Sequence, residues 1–433
     1  MKSFYQLLGN TVIASITNFT VWFALTFFVY IQTESVFATS MIAGIYLVCT
    51  TLSGFWFGSL VDNYAKKPLL FWSSAFTLLL YAICFVIYIT VPESAFQSIS
   101  SPTLWIFIPL VLIGVIAGNI RNIVLPTLVT TLVVPERRDK ANGLVGTASG
   151  VGFMVTSVIS GLLVGHSGMY LVLLLAMIAT GIYMAHLLTI TIPDVEIDES
   201  NPDLPQTKNI NIMGTLKIIS TIPGLLALIL FTTFNNFLGG VFMSLLDAYG
   251  LSLVSVQEWG FIWGFLSTAF ILGGLLIAKW GLGKSPLKTM FTVNLLIWGI
   301  CSIFTIYPSL ILLIVGMFIY LCLAPYIEAS EHTILQKLVP VGRQGRVFGF
   351  AHSVEQMASP LTAFAIGPIA EFWVIPFMTD GAGVDLIGHW FGTGPDRGIA
   401  LVFTIAGILG LITTFIARNS KYYHMLSKKY LAS

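Results

Sequence analysis

GSLVDNYAKKPL, the stretch at residues 58–69, separates two long apolar runs that cover residues 37–60 and 68–91. The stretch holds one acid and two lysines, whereas the side chains of both flanking runs are mostly apolar. A helix needs about 20 apolar residues to cross the hydrocarbon core of a bilayer. The stretch is therefore predicted to be a polar turn between two membrane-spanning helices.

The composition extends this prediction to the whole chain. Of its 433 residues, 56% are hydrophobic and only 9% are charged, whereas a soluble domain carries roughly 25% charged residues. So few charges cannot cover a protein of this size in water, but hydrocarbon removes the need for them. The net charge of +1 indicates no nucleic-acid partner. The lipid bilayer is the expected surrounding.

Apolar runs of spanning length recur along the chain, and they predict an all-α membrane protein with twelve transmembrane helices. The predicted spans are 9–31, 37–60, 68–91, 103–131, 141–164, 168–192, 219–246, 256–279, 286–306, 309–332, 345–372 and 397–417.

The basic residues predict the orientation. With the N-terminus inside, 18 of the 20 Lys and Arg residues fall in or beside the inside segments. The two exceptions are Arg121, within a span, and Arg397, at an outer edge. Because cytoplasmic loops carry an excess of Lys and Arg, both termini are predicted to be cytoplasmic. The predicted location is the plasma (inner) membrane, crossed many times.

The chain divides into two related halves. Residues 1–192 and 219–433 are each predicted to form a six-helix bundle, joined by a cytoplasmic linker at residues 193–218. The pattern at residues 58–69 returns in altered form at residues 274–287, about half a chain later. Internal repeats of this kind place a substrate site near the membrane midplane.

Two motifs now suggest a family. GxLxDxxxKKP at residues 58–68 resembles the signature loop of the major facilitator superfamily. QKLVP and QGRV within residues 336–347, followed by SPL at residues 359–361, resemble the macrolide-efflux and enterobactin-exporter branch of that superfamily. The loop departs from the family pattern at Asn63 and Ala65, where Arg and Gly are usual.

The resemblance implies two pseudo-symmetric bundles and an inside gate. The implied gating motif is Gly58, Asp62, Lys66 and Lys67. The carboxylate of Asp62 can sit against the positive N-terminal end of a neighbouring helix, or the loop can be a solvated turn.

The family also implies that spans one, four, seven and ten line the substrate cavity. The candidates on these spans are Asn18, Trp22, Asn119, Asn122, Asn235, Asn236 and Tyr326. A few amides among aromatic rings suit a hydrophobic or amphipathic substrate.

Charged side chains within the predicted spans are candidates for proton coupling, because a charge inside a membrane is costly and needs a cavity, a partner or a function. The candidates are Arg121, Glu328, Glu331 and Glu355. Two alternatives stay open: Arg121 could belong to a structural ion pair, and Glu331 could face the cytosol beside His332.

Small residues form one face of the fifth span, which favours close helix packing and a sliding interface. The residues are Gly146, Gly150, Ser157 and Gly161.

The leading hypothesis is a secondary active antiporter that exports a drug-like, macrolide-like or siderophore-like molecule and contributes to multidrug resistance. The proton gradient would drive export, with no cofactor and no metal, and a single chain would be functional. An importer or lipid translocator on the same fold is the first alternative. A membrane-embedded enzyme or sensor is remote, because the sequence has neither an HExxH nor a GxSxG motif.

Overall fold

The computed structural model describes residues 2–33, 36–98, 100–193 and 212–433. Within these ranges the chain forms helices joined by turns, and no strand is present. The expected all-α fold class is therefore confirmed. Most of the predicted linker, residues 194–211, lies outside the described ranges, so the domain boundaries stay a prediction.

Seven α-helices precede the undescribed part of the linker. They are α1 Lys2–Thr33, α2 Val36–Asn63, α3 Lys66–Thr90, α4 Pro102–Gly118, α5 Arg121–Leu132, α6 Arg138–Ser167 and α7 Met169–Thr189.

Ten α-helices of the described residues follow the undescribed part of the linker, and the first of them overlaps the predicted end of the linker. They are α8 Ile212–Thr221, α9 Leu225–Leu253, α10 Val256–Trp280, α11 Pro286–Cys301, α12 Leu310–Leu338, α13 Gln344–Ile369, α14 Ile375–Thr379, α15 Ala382–Phe391, α16 Pro395–Arg418 and α17 Lys421–Ala432.

Ten stretches of the described helices are long and apolar enough to cross a membrane. The two predicted spans missing from this set are α6 and α11, and α11 has only 16 residues. The chain is thus a multi-pass membrane protein. The number twelve and the cytoplasmic termini stay predictions.

The side chains of α3 divide between a buried face and an exposed apolar face. Its buried side chains, which include Thr77 and Tyr81, lie on one side of the helix. The other side exposes a stripe at intervals of three and four residues, namely Trp72, Phe76, Leu79, Ile83 and Val86. An exposed apolar stripe of this length is costly in water and is the surface that hydrocarbon solvates.

The predicted span at residues 103–131 is broken in the structure. α4 ends at Gly118 and α5 begins at Arg121. The backbone N–H groups of Asn119 and Asn122 donate to the carbonyl oxygens three residues earlier, at 3.0 and 2.9 Å. These short-range bonds tighten the backbone between the two helices. The break places the guanidinium of Arg121 at the start of a helix.

Contacts divide the chain into two compact units. The first comprises Met1–Arg138, Ala148–Thr215 and Val339–Ser353, and the second comprises Asp139–Thr147, Leu216–Leu338 and Val354–Ser433. Each unit has its own apolar core. In the second unit this core mixes aliphatic and aromatic side chains, with the rings of Phe242 and Phe403 stacked at 4.8 Å. The starts of α6 and α13 belong to units built mainly from the other half of the sequence.

The segment before α16 is helical and is anchored by one buried arginine. After α13, the five residues Ala370–Val374 form a π-helical turn that leads into α14. Arg397, which is 2% exposed, donates to the carbonyl oxygens of Phe391 at 2.7 Å, Thr305 at 3.0 Å and Ile306 at 2.7 Å. Within the part of the chain that the structure describes, no carboxylate lies within 4.0 Å of this guanidinium, so the carbonyls hold it. The bond to Phe391 fixes the end of α15.

Gly58 lies where α2 meets the start of α13 within the first unit. A Cβ at Gly58 would lie 2.6 Å from the carbonyl oxygen of Gly345 and 3.1 Å from Cα of Arg346. Both neighbours are backbone atoms, so they cannot rotate away. Only glycine permits this close approach.

We expect Gly58→Ala to lower the thermal stability of the purified protein, because overpacking typically costs about 1–3 kcal/mol. The matched control on the same helix is Gly44→Ala, since a Cβ added there would have no neighbouring atom within 4 Å. Alanine there should be neutral or slightly stabilising, by roughly 0.5–1 kcal/mol. Unfolding temperatures measured in detergent decide the comparison, and equal temperatures for both variants would contradict the packing argument.

Candidate functional site

Arg121 is buried in the first unit and is held by neutral groups. Its Nη1 donates to Oδ1 of Asn10 at 2.9 Å and its Nη2 donates to Oγ of Ser74 at 3.0 Å. The guanidinium also lies 4.9 Å from the ring centroid of Tyr183. Among the described residues no carboxylate lies within 4.0 Å of it. The ion-pair interpretation therefore has no contact to support it here.

Asn10 extends this polar network from α1 to α7. Its Nδ2 donates to the carbonyl oxygen of Tyr183 at 2.7 Å and lies 3.2 Å from Nδ1 of His186. The sequence analysis missed Asn10, although an amide within an apolar run is a detectable signal. The amide both accepts from Arg121 and binds the helix that carries Tyr183, so it sets the position of the buried charge.

The second unit brings two of the predicted carboxyl groups together. The side chains of Glu331 on α12 and Glu355 on α13 are hydrogen-bonded to each other. The hydroxyl of Thr232 on α9 lies 2.6 Å from Oε1 of Glu355 and 3.4 Å from Oε1 of Glu331. A hydrogen bond between two carboxyl groups requires a proton on one of them. The pair is therefore a candidate site for a bound proton.

Glu328 lies one helical turn before Glu331 on the same side of α12. Its carboxyl group interacts electrostatically with both Glu331 and Glu355. The three acids thus form one cluster, in which Glu328 is exposed, Glu355 half-buried and Glu331 buried. Thr232 is a further member that the sequence analysis missed.

The carboxylate of Asp62 binds the start of α13 within the first unit. Its Oδ1 accepts the backbone N–H of Gly345 at 2.6 Å, and its Oδ2 accepts that of Arg346 at 2.9 Å. Nε of Arg346 lies 3.8 Å from the same oxygen. The first N–H groups of a helix have no acceptor inside the helix, and the helix dipole favours an anion there.

The two lysines of the motif bind backbone carbonyls. Lys66 donates to the carbonyl oxygen of Val61. Lys67 donates to the carbonyl oxygens of Leu188 at 2.9 Å and Ile190 at 2.8 Å, at the end of α7. A cation at a helix C-terminus is favourable for the same electrostatic reason as an anion at an N-terminus.

A corresponding contact occurs in the second unit at the start of α6. Oδ2 of Asp139 accepts the backbone N–H of Leu282 at 2.9 Å, between Gly281 and Gly283, which have φ values of 75° and 76°. The sequence analysis did not single out Asp139. The altered repeat of the 58–69 pattern at residues 274–287 was the signal that pointed to this region.

Asn142 fastens the same helix start to α12. Its Nδ2 lies 2.9 Å from both Oγ1 of Thr333 and Oε1 of Gln336, and Gln336 donates back to Oδ1 of Asn142 at 3.2 Å. All three side chains are buried. A reciprocal amide pair is specific in geometry, so it fixes the register of the two helices.

The predicted cavity residues of the first unit separate into two groups, those beside an aromatic stack or at the surface and one that is buried in packing. The indole of Trp22 stacks on the ring of Tyr46 at 4.0 Å, and Nδ2 of Asn119 lies 3.2 Å from the hydroxyl of Tyr46. Asn122 is exposed. Asn18 instead is buried and accepts a hydrogen bond from the hydroxyl of Tyr81 at 3.1 Å.

In the second unit, too, one predicted cavity residue is used in packing and the others are at least partly exposed. Oδ1 of Asn235 accepts the indole N–H of Trp298 at 2.6 Å, so this amide is used in packing. Asn236 is exposed and Tyr326 is half-buried. Contact of any of these side chains with a substrate stays a prediction.

The small-residue face of α6 is described only in part. A Cβ at Gly146 would lie 3.3 Å from Cβ of Pro325 on α12, which is a close helix contact. Gly150 is buried. The predicted positions Ser157 and Gly161 have surroundings outside the described part of the structure.

The apolar helices and the polar groups buried among them define a multi-pass membrane protein. The family profile of the Major Facilitator Superfamily matches residues 7–363, and the chain belongs to this superfamily. No curated protein sequence matches the chain significantly.

Solved structures with the same fold share little sequence with the chain. A bacterial homologue of the iron transporter ferroportin, solved in an outward-facing state, has a TM-score of 0.71 at 15% identity, covering 97% of this chain and 100% of that one. The human organic anion transporter MFSD10 has a TM-score of 0.66 at 15% identity, with coverage of 96% and 99%.

The proton:xylose symporter XylE has a TM-score of 0.63 at 12% identity, with coverage of 94% of each chain. At these identities the likenesses establish the fold alone.

We expect Asp62→Asn to speed hydrogen exchange of the Gly345 and Arg346 amides by about tenfold or more. Hydrogen bonds to a charged acceptor contribute about 1.5–3 kcal/mol, and no carbonyl within α13 replaces the lost acceptor. Exchange is measured by mass spectrometry on peptides from the start of α13. The matched control is Asp139→Asn, which should instead speed exchange of the Leu282 amide. Unchanged exchange at both amides in Asp62→Asn would contradict this role.

Proposed function

We propose that the protein is a proton-coupled exporter of a hydrophobic or amphipathic small molecule, of the macrolide or siderophore kind, that works by alternating access. The observation that carries this proposal is the hydrogen-bonded carboxyl pair of Glu331 and Glu355. The pair lies within the membrane-spanning helices α12 and α13. A single chain in the plasma (inner) membrane is the proposed working unit.

The carboxyl pair supports proton coupling because its geometry depends on its proton. With one proton present, the two groups share a hydrogen bond. Loss of that proton would leave two like charges side by side, and they would repel strongly in a low-dielectric surrounding. The pair spans two helices, so its proton occupancy would bias the contact between them. Glu328, exposed and electrostatically coupled to the pair, is the proposed entry point for the proton.

Arg121 has a different proposed role. A guanidinium keeps its charge in proteins, so it can act as a fixed cation but not as the group that gains and loses the transported proton. Its neutral partners Asn10 and Ser74 leave that charge uncompensated by any described carboxylate within the first unit. We propose that Arg121 sets a constant positive potential in this unit.

The stacked rings and exposed amides support an amphipathic substrate. Trp22 and Tyr46 present aromatic surface beside Asn119, and Asn122 and Asn236 are exposed on their own units. Aromatic rings provide apolar contact area, and a small number of amides can orient polar groups of a ligand. Export and membership of the macrolide-efflux and enterobactin-exporter branch rest on the motifs at residues 336–347 and 359–361.

Import is the alternative, because the fold is compatible with either direction of transport. The same fold occurs in a proton:xylose symporter, so neither the fold nor proton coupling determines the direction of flux. A lipid translocator is a further possibility on the same scaffold. The direction of net transport in inside-out vesicles separates export from import.

We expect Glu331→Gln and Glu355→Gln each to lower pH-driven transport by about tenfold or more, equivalent to roughly 1.4 kcal/mol. A glutamine keeps the shape and hydrogen bonding of the carboxyl group but cannot release a proton. The protein is reconstituted in proteoliposomes with an imposed pH gradient. A panel containing a macrolide, a catechol siderophore and ethidium supplies the test substrates.

The matched control is Glu371→Gln, because Glu371 is an exposed acid on the same polypeptide stretch beyond α13. Its variant should keep the pH dependence of the parent protein. If both variants of the carboxyl pair retain full pH-driven transport, the proton-coupling proposal fails. Downhill exchange of substrate without a pH gradient shows whether each variant still binds and translocates.

A further inference from the structure

A carboxylate outside the proposed proton pathway is held by two indoles. Oδ1 of Asp247 on α9 accepts the indole N–H of Trp259 at 2.9 Å and that of Trp263 at 3.1 Å. Both indoles belong to α10, four residues apart and therefore on the same helix face. An indole N–H can only donate, so both bonds use Asp247 as the acceptor. Because both reach the same oxygen, neither indole occupies Oδ2.

The two indoles form a fixed wall beside this carboxylate. Their ring centroids are 6.1 Å apart and the ring planes are at 76°, an edge-to-face arrangement. Trp259 is only 5% exposed, and its ring packs on Gly250, where a Cβ would overlap it. Trp263 is half-buried and Asp247 is exposed. The carboxylate is therefore accessible, while the aromatic wall behind it is held in place by packing.

Apolar side chains flank Asp247 along its own helix. Met243 lies one turn before it with an exposed fraction of 77%, and Leu251 lies one turn after it with an exposed fraction of 43%. The exposed face of α9 thus presents one negative group between two apolar ones. A ligand that matches this face carries a positive charge and apolar substituents.

We propose that this corner, defined by Asp247, Trp259, Trp263, Met243 and Leu251, binds an organic ammonium cation. A carboxylate attracts the charge, and the electron-rich face of an indole attracts a cation more strongly than other aromatic rings do. A metal ion fits less well, because in the described ranges no group of three or more His, Cys, Asp or Glu side chains is placed to hold one. The flanking methionine and leucine favour an ammonium with apolar substituents.

The corner is separate from the carboxyl pair. Asp247 follows Thr232 by 15 residues on α9, which corresponds to about 22 Å along a helix. Ammonium binding at this corner therefore does not depend on proton coupling, and either proposal can fail without the other. A ligand at this corner meets the protein near the end of α9, away from the proton-holding acids.

The test uses the purified full-length protein in detergent and benzyltrimethylammonium as the probe. Binding is measured by isothermal titration calorimetry at constant ionic strength, with benzyl alcohol as the neutral comparison. We expect saturable binding of the ammonium and at least tenfold weaker binding of the alcohol. Asp247→Asn should weaken ammonium binding at least tenfold, and Trp263→Phe several-fold because phenylalanine is a weaker cation partner.

Three controls keep the result interpretable. Glu258→Gln removes a neighbouring exposed carboxylate that is hydrogen-bonded to Ser255 rather than to an indole, and it should leave binding unchanged. Asp247→Glu keeps the charge and should retain measurable binding even if Asp247→Asn folds poorly. Glu331→Gln should bind the ammonium normally, which separates this site from the proton pair.

The proposal is overturned if the parent protein does not bind the ammonium, or if Asp247→Asn binds it as well as the parent does. Equal losses in Asp247→Asn and Glu258→Gln would also overturn it, because they would indicate attraction by surface charge alone. In each of these cases the two indole bonds would serve only to brace α9 against α10.

Discussion

A charged side chain within hydrocarbon must find its hydrogen bonds inside the protein, and this constraint organises the polar interior of the chain. The guanidinium of Arg397 is surrounded by backbone carbonyls, and that of Arg121 is bound by an amide, a hydroxyl and an aromatic ring. Asp62 binds backbone N–H groups. In each case the charge is stabilised by polar groups that themselves need a hydrogen-bond partner, either at a helix end or on a buried side chain.

At the starts of two helices, a charged side chain is stabilised and the helix is fixed within its unit by the same contact. Asp62 binds the first turn of α13, and Asp139, in the first turn of α6, binds the backbone beside Gly281. The beginnings of α6 and α13 are also the segments whose contacts assign them to units built mainly from the other half of the sequence. A carboxylate bound to backbone N–H groups does not depend on neighbouring side chains, so the contact of Asp62 forms with Asn63 and Ala65 in the motif.

The two units handle charge in different ways. The first holds a permanent cation, Arg121, among neutral partners, whereas the second holds Glu331 and Glu355 as a hydrogen-bonded pair. A permanent charge shapes the potential continuously, while a proton-holding pair changes its own charge and hydrogen bonding together. Proton coupling in the proposed exporter rests on the second arrangement. The aromatic corner at Asp247 is a third arrangement, in which indole donors hold a carboxylate that stays accessible.

Composition and the recurrence of apolar runs determined the helical membrane class, because the need for backbone hydrogen bonds in hydrocarbon leaves few alternatives. The motif at residues 58–68 was sufficient to indicate the superfamily. Isolated charges in apolar runs singled out Arg121, Glu328, Glu331 and Glu355 as candidates, and their role in proton coupling stays a prediction. Sequence could not show that Thr232 joins the two acids, that Asn10 holds Arg121, or that two indoles converge on Asp247. Those contacts join residues far apart in the chain or on neighbouring helices, and the rotation of each helix about its axis decides them. That rotation follows from the packing of whole units, whereas helix formation itself depends on local hydrophobicity and hydrogen bonding along one segment.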